Sequence, residues 1–375
     1  VLVAGLLLIG LVADDDGLFA AAGRRLAAVA SHDLVLFAGM VVLVGVVTAT
    51  LNLDTSVAFL TPVLVYAARS RGSGEAALLY GCLLLSNAGS LLLPGSNLTN
   101  LIVLGHLRLT GGQFAARMWL PWLGALLVTA AVVAGCELRP GRAAGTARAA
   151  GNASGQRTAR ARAAARVPRT GWAPGTARAP QTAGPDRSSG RGRVPGLGAV
   201  AVCVATVLVL VVSSPALPVL AAGLLAAGVK IARGRIGARQ AFDVLGVGVL
   251  AGLFGTAVAL GTLGRVWSGP ATLLAHLPAW ATAPVAGLAT VLVNNLPAAS
   301  MLAARTPPHP FALLVGLNLG PNLCVTGSLA WLLWLRSARS AGTEPSLLRA
   351  SRIGLVAVPL AMAVAVGALA ISGGG

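Results

Sequence analysis

Four short polar clusters interrupt otherwise apolar runs, and each carries groups that could hold a small solute or ion. The first is Asn52-Leu53-Asp54-Thr55, and the second runs from Asn87 to Asn100 with Gly89, Gly95, Ser96 and Asn97. The third is Asn294-Asn295-Leu296-Pro297, and the fourth runs from Asn318 to Ser328 with Gly320, Asn322 and Gly327. Amides and hydroxyls can hydrogen-bond a solute, half-helix amino termini can face an anion, and freed carbonyls can face a cation. Hydrocarbon tolerates non-helical backbone only where protein or a water-filled cavity covers it. A single kink with small residues would serve helix packing. Four breaks in repeated positions favour a transport site.

Asp54 is the sharpest single residue. The other nine acids fall at span ends, in loops or in the polar middle of the chain. A carboxyl at membrane depth is functional by default, as a proton carrier or cation ligand. Its plainer role is to cap a half-helix starting near Thr55, and the two roles are compatible. Asn294 and Asn295 precede Pro297, which suits a first helical turn, and their amides can bind solute or cap backbone. Ser96 and Ser328 sit beside glycines, where packing would explain them almost as well. Cys324 offers a thiol to a metalloid, but a lone cysteine is more often a small core residue. His106, His276 and His309 fall at span ends and His32 in a loop. No Lys or Arg falls at the breaks. A multiply charged anion would therefore depend on amides, hydroxyls, helix dipoles and co-bound cations, whereas a neutral hydroxyl-rich solute would make fewer demands.

The elements that must position these clusters are membrane spans. Of 375 residues, 56% are hydrophobic and only 10% charged, with a mean hydropathy of +0.82. Soluble domains carry about 25% charged residues, so a water-facing surface cannot be built from this chain. Against the ~20 apolar residues needed to cross a bilayer, 1–13 reads as the end of a span, and 118–136 and 353–371 as plain spans. The runs 34–68, 77–104, 274–304 and 311–335 are interrupted by the four clusters. Further runs cover 197–213, 216–230 and 241–263. Residues 138–196 are rich in Arg, Ala and Gly and read as a disordered cytoplasmic linker.

The linker divides a first transmembrane repeat, 1–137, from a second, 197–375. Each half has a span, a run broken at an Asn-containing tip, a second broken run and a plain span, which is an internal repeat. The second half has two spans, 197–213 and 216–230, with no counterpart in the first. By symmetry, about 45–60 residues with two spans are expected before Val1. With the linker inside, twelve of the basic residues outside the linker fall on the cytoplasmic side and four on the other. This bias sets orientation and inverts the halves. It also explains the net charge of +18 without nucleic acid.

At these residues the chain resembles the arsenite permease (arsenical pump membrane protein) family, within the ion transporter superfamily that also holds citrate and dicarboxylate carriers. The matching stretches are Leu51–Pro62, Ser86–Asn100, Val293–Pro297 and Leu317–Ala330. The resemblance implies an all-α polytopic membrane protein built as an inverted repeat, with two re-entrant hairpins and two discontinuous transmembrane helices around one site. It places the hairpin tips at Asn52, Asp54 and Thr55 and at Asn294, Asn295 and Pro297. It maps the discontinuous helices to Asn87–Asn97 and Asn318–Ser328.

The function expected is secondary active transport at the plasma membrane: arsenite or antimonite efflux coupled to protons through Asp54. The alternative is a sodium- or proton-coupled carrier of citrate, dicarboxylate or other small anions. A reading of another class is a non-transporting or decayed membrane scaffold. An enzyme is not expected, because no nucleophile–base pair or metal cluster falls at the breaks. No organic cofactor and no metal is expected, the coupling ion being H+ or Na+. The partners expected are the lipid bilayer and a small inorganic or organic anion or a neutral metalloid. A homodimer is compatible with the pattern, and nucleic acid is not required.

Overall fold

The computed structural model describes residues 1–105, 107, 109–138, 196–212, 214–245 and 247–372. The Arg-rich linker, apart from its two end residues, and His106 and Arg108 lie outside the described residues. Among the described residues all regular structure is helical. The first half comprises α1 (Leu2–Asp15), α2 (Leu18–Val29), α3 (Asp33–Thr50), α4 (Leu53–Ser70), α5 (Ala76–Gly89), a 3-10 turn (Pro94–Ser96), α6 (Leu98–Leu104) and α7 (Gly111–Glu137). The second half begins with α8 (Leu197–Val211), α9 (Ala216–Ala232), α10 (Ala238–Leu245), α11 (Val247–Val266) and α12 (Gly269–Ala275). It continues with α13 (Ala279–Val293), α14 (Asn295–Leu302), α15 (Pro310–Leu319), a 3-10 turn (Gly320–Leu323), α16 (Ala330–Ser340) and α17 (Leu347–Ile371).

By length and composition α3, α7 and α17 can each cross a membrane alone, while α5, α8, α9 and α13 are shorter apolar helices. Helices occupy the apolar runs expected from the sequence, with boundaries shifted by several residues. Two short helices, α2 and α12, occupy stretches that the sequence reading left as loops. From α1 to α7 and from α11 to α17 the two halves follow the same order: a helix, a short helix, a broken pair, a second broken pair and a long final helix.

Each of the four breaks overlaps its expected stretch. The first is confined to Leu51 and Asn52, so Asp54 lies in the first turn of α4 rather than outside the helix. The third is a single residue, Asn294, between α13 and α14. The second and fourth are longer, each containing a 3-10 turn. Pro297 stands at the third position of α14, where its missing N–H removes a donor that has no intrahelical partner anyway.

The pair α3–α4 is a hairpin. Ser73, just beyond α4, donates to the Asp33 carboxylate at the start of α3 across 2.7 Å. Each arm has 18 residues, so the Asn52 tip lies roughly 27 Å from that end. The same end is tied to the second half. Arg69 donates to the carbonyls of Ala341 and Gly342 and to the Thr343 hydroxyl, while also pairing with Glu75. Arg349 at the start of α17 forks onto Glu137 at the end of α7, and these two long helices pack along each other. Asp16 reaches across to the second half as well, bonding Lys230 and the Gly198 N–H. Burial raises the Asp16 carboxyl, but the bonds from Lys230 and Gly198 outweigh it and hold the group below its ordinary range.

Candidate functional site

The four breaks converge. A cavity of about 30 Å³ is lined by Leu53 and Asp54, by Asn97 and Leu98, by Asn294, Asn295 and Leu296, and by Ser328 and Leu329. Each group stands at or just before the first turn of a helix, namely α4, α6, α14 and α16. Four helix amino termini therefore face one small chamber, whose peptide dipoles favour negative charge there.

Local chemistry explains why the helices start where they do. Asn52 Oδ1 accepts the Thr55 N–H at 2.7 Å, Asn97 Oδ1 accepts the Thr99 N–H at 3.2 Å, and Asn294 Oδ1 accepts the Leu296 N–H at 3.4 Å. These are side-chain caps of the ordinary kind. The fourth helix has no side-chain cap, and the buried Ser328 hydroxyl at its entry has no hydrogen-bond partner. Asn52 also leaves its amide nitrogen unpartnered. A buried polar atom without a partner is destabilising by roughly 1–3 kcal/mol, so a ligand that supplies one gains that much.

The second tip carries backbone strain. Asn294 has φ 75° and ψ 154°, the one non-glycine residue at positive φ among those described. It is held by three bonds to the fourth break: Asn295 N–H to Gly327 O at 2.9 Å, Asn294 Nδ2 to Thr326 O at 3.1 Å, and Thr326 Oγ1 to Val291 O at 2.7 Å.

Several other residues singled out from the sequence do not line the chamber. Thr55 lies against Gly10 of α1. Asn87, Asn318 and Asn322 form a buried lattice joining the two broken helices. Asn87 Nδ2 donates to Asn322 Oδ1 at 2.8 Å, and Asn322 Nδ2 to Leu84 O at 2.9 Å. Asn318 accepts from Ser90 at 2.6 Å and from Asn97 at 2.8 Å, and donates to Asn100 Oδ1 at 2.8 Å. Asn97 thus belongs to both the lattice and the chamber. Ser96 spends its hydroxyl inside its own turn, accepting the Leu93 N–H and donating to Ser90 O.

The glycines serve close approach. A Cβ on Gly320 would stand 2.4 Å from Gly287 Cα, and one on Gly327 would stand 2.5 Å from Pro321 Cα. Gly89 packs on Thr48, and Gly95 faces Leu6 and Val209. Cys324 contacts the Thr326 hydroxyl at 2.8 Å. Among the described residues no group of His, Cys, Asp and Glu is arranged to hold a metal ion. A larger hollow of about 680 Å³ opens between α13 and α17, but its lining, including Trp280, Leu288, Val358 and Met362, is apolar and offers an anion nothing.

The sequence reading missed the four leucines of the chamber. Their only signal is positional: each directly follows a break asparagine or serine, as in Asn52-Leu53, Asn97-Leu98, Asn295-Leu296 and Ser328-Leu329.

A citrate transporter family profile (CitMHS) matches residues 1–321, most of the chain, including three breaks and the start of the fourth. The chain belongs to the citrate transporter family. No curated protein matches it. Members of this family are transporters rather than enzymes, and the apolar helices agree with a multi-pass membrane protein. The superfamily expected from the sequence is thereby found, on its citrate side. The arsenite branch is not specifically supported.

Proposed function

We propose that this citrate transporter family member is a secondary active carrier of citrate-like carboxylate anions, coupled to protons through Asp54. The observation that carries the reading is the convergence of four helix amino termini on a chamber that also holds one carboxyl. The amino termini supply the positive potential that the absent Lys and Arg would otherwise supply. A charged Asp54 beside a bound carboxylate is repelled, and the repulsion is large where water is scarce. A protonated Asp54 is not repelled. Proton and anion therefore load together, and each leaves more readily once the other has gone.

In this reading the two breaks of each half are the re-entrant tip and discontinuous helix of an inverted repeat in the cell membrane. The linker is cytoplasmic, on the side rich in Arg. Arsenous acid is uncharged near neutral pH and gains little from four helix dipoles. The site therefore favours a carboxylate over arsenite or antimonite.

The test is uptake into vesicles holding the full chain, with an imposed pH gradient and labelled citrate, arsenite or sodium. Citrate is expected to accumulate with the proton gradient. Asp54→Asn keeps the shape and the helix start but cannot ionise, and is expected to lower uphill uptake at least 100-fold. Citrate exchange without net proton movement survives in that variant. Accumulation of arsenite and not citrate would overturn the carboxylate reading. Uphill uptake by Asp54→Asn at the parent rate would reduce Asp54 to a structural residue.

A further inference from the structure

The polar lining of the chamber is Asp54, Asn97, Asn294, Asn295 and Ser328. Between them stand Leu53, Leu98, Leu296 and Leu329, one from each converging helix and each directly after a break asparagine or serine. Leu53 and Leu296, on the two tips, are buried. Leu98 and Leu329, on the two broken helices, are half-buried. This pairing follows the order of elements in the two halves. The chamber's space of about 30 Å³ holds little more than a water molecule. A citrate-sized anion does not fit in that space.

We propose that these four leucines are the size gate of the transport site: they hold the chamber at an ion-sized volume and set, by how far they withdraw, how large an anion it admits. The inference rests on the carboxylate-carrier reading above. Two observations beyond the lining support it. The Ser328 hydroxyl beside Leu329 is buried with no protein partner and lines the chamber, so it is free to bind what enters. The strained Asn294 stands two residues before Leu296, so that leucine is carried on backbone held in a sparsely populated conformation. Strain of this kind clusters at ligand clamps.

The experiment uses the full chain in vesicles and compares uptake of succinate, citrate and benzene-1,3,5-tricarboxylate, a rigid and bulkier anion. Leu98→Ala with Leu329→Ala removes bulk from the two half-buried positions. It is expected to raise the uptake ratio of the bulky anion to succinate by about tenfold or more, the scale on which pockets discriminate a few methylenes. Leu98→Phe adds bulk at a half-exposed position and is expected to shift the ratio the other way, so the gate remains testable if the double alanine variant fails to reach the membrane. Variants present in parental amounts that keep the parental ratio within twofold would overturn the gate alone. A parent chain that moves none of the three anions would overturn the carrier reading, and the gate with it.

Discussion

At the first hairpin tip Asn52 is fully extended, and its side chain closes a short 2.7 Å cap on its own helix. At the second tip Asn294 is forced to φ 75°, its cap is longer at 3.4 Å, and its hold comes from three bonds to the fourth break. Among the described residues no hydrogen bond joins Asn52 or Leu53 to the Pro94–Ser96 turn. The first tip is thus self-contained and the second is a joint structure with the break beside it. The acid is on the self-contained tip. In the proposed coupling role, a carboxyl that gains and loses a proton is best placed where its charge does not disturb a strained, shared hydrogen-bond set. The two halves repeat an order of elements, and the chemistry is divided between them.

Both tips share the chamber with Asn97, which the lattice of Asn87, Asn100, Asn318 and Asn322 holds in place, so the sharpest way to break the comparison is to cut that lattice. Asn318 is fully buried. Asn318→Ala leaves Asn100 Oδ1 without its donor and takes from Asn97 its better acceptor. At roughly 1–3 kcal/mol for each buried group so orphaned, the variant is expected to lose about 3 kcal/mol or more of stability. Thermal unfolding in detergent measures this. Uptake should fall with it, because Asn97 lines the chamber. A variant as stable as the parent would show that the lattice is not what holds the broken helices together.

Much of this was legible in the sequence because asparagine, glycine and proline stand out in an apolar run. All four breaks could be placed, and Asp54 was visible as the single acid within one. The lattice was not legible. Asn87 and Asn322 are 235 residues apart, and an amide facing a partner reads the same as an amide facing a solute. The four leucines were invisible for the opposite reason: an apolar residue in an apolar run has no contrast. The short helices α2 and α12 were missed because they are too short to read as spans. Single positions, not element order, were where inference from the sequence stopped.

A second variant acts on one tip only. Gly320 lets the fourth break meet α13 backbone to backbone, and a Cβ there would also stand 2.7 Å from Gly287 O and Thr290 Oγ1. Backbone cannot swing aside as a side chain does. Gly320→Ala is expected to destabilise by about 1–3 kcal/mol, the usual range for overpacking. It pushes α13 away and with it Asn294 and Asn295. Anion affinity should fall while the proton-dependent behaviour seated on Asp54 persists. The measurement is the citrate concentration for half-maximal uptake at several pH values. Equal loss of affinity and pH dependence would mean that the tips are not separable.

The smallest effect separates the tips most cleanly. Asn294→Gly gives up the 3.1 Å bond to Thr326 O, about 0.5–1.5 kcal/mol, and a long cap that glycine replaces at little loss. It also relieves backbone strain of about 1–3 kcal/mol, because glycine alone occupies that region without penalty. The opposing contributions are of similar size, so stability should change by no more than about 1 kcal/mol, in either direction. Asn52→Gly has no strain to relieve. It gives up the 2.7 Å cap, a few tenths of a kcal/mol where glycine replaces it, and, as Asn294→Gly also does, adds the conformational freedom of glycine to the unfolded chain, so with nothing to offset these it should destabilise by about 1 kcal/mol. Unfolding the two variants side by side gives the sign of the difference. If Asn294→Gly loses as much as Asn52→Gly, or more, the strain at the second tip is not stored in its backbone. The contrast between a self-contained tip and a shared one would then reduce to hydrogen bonds alone.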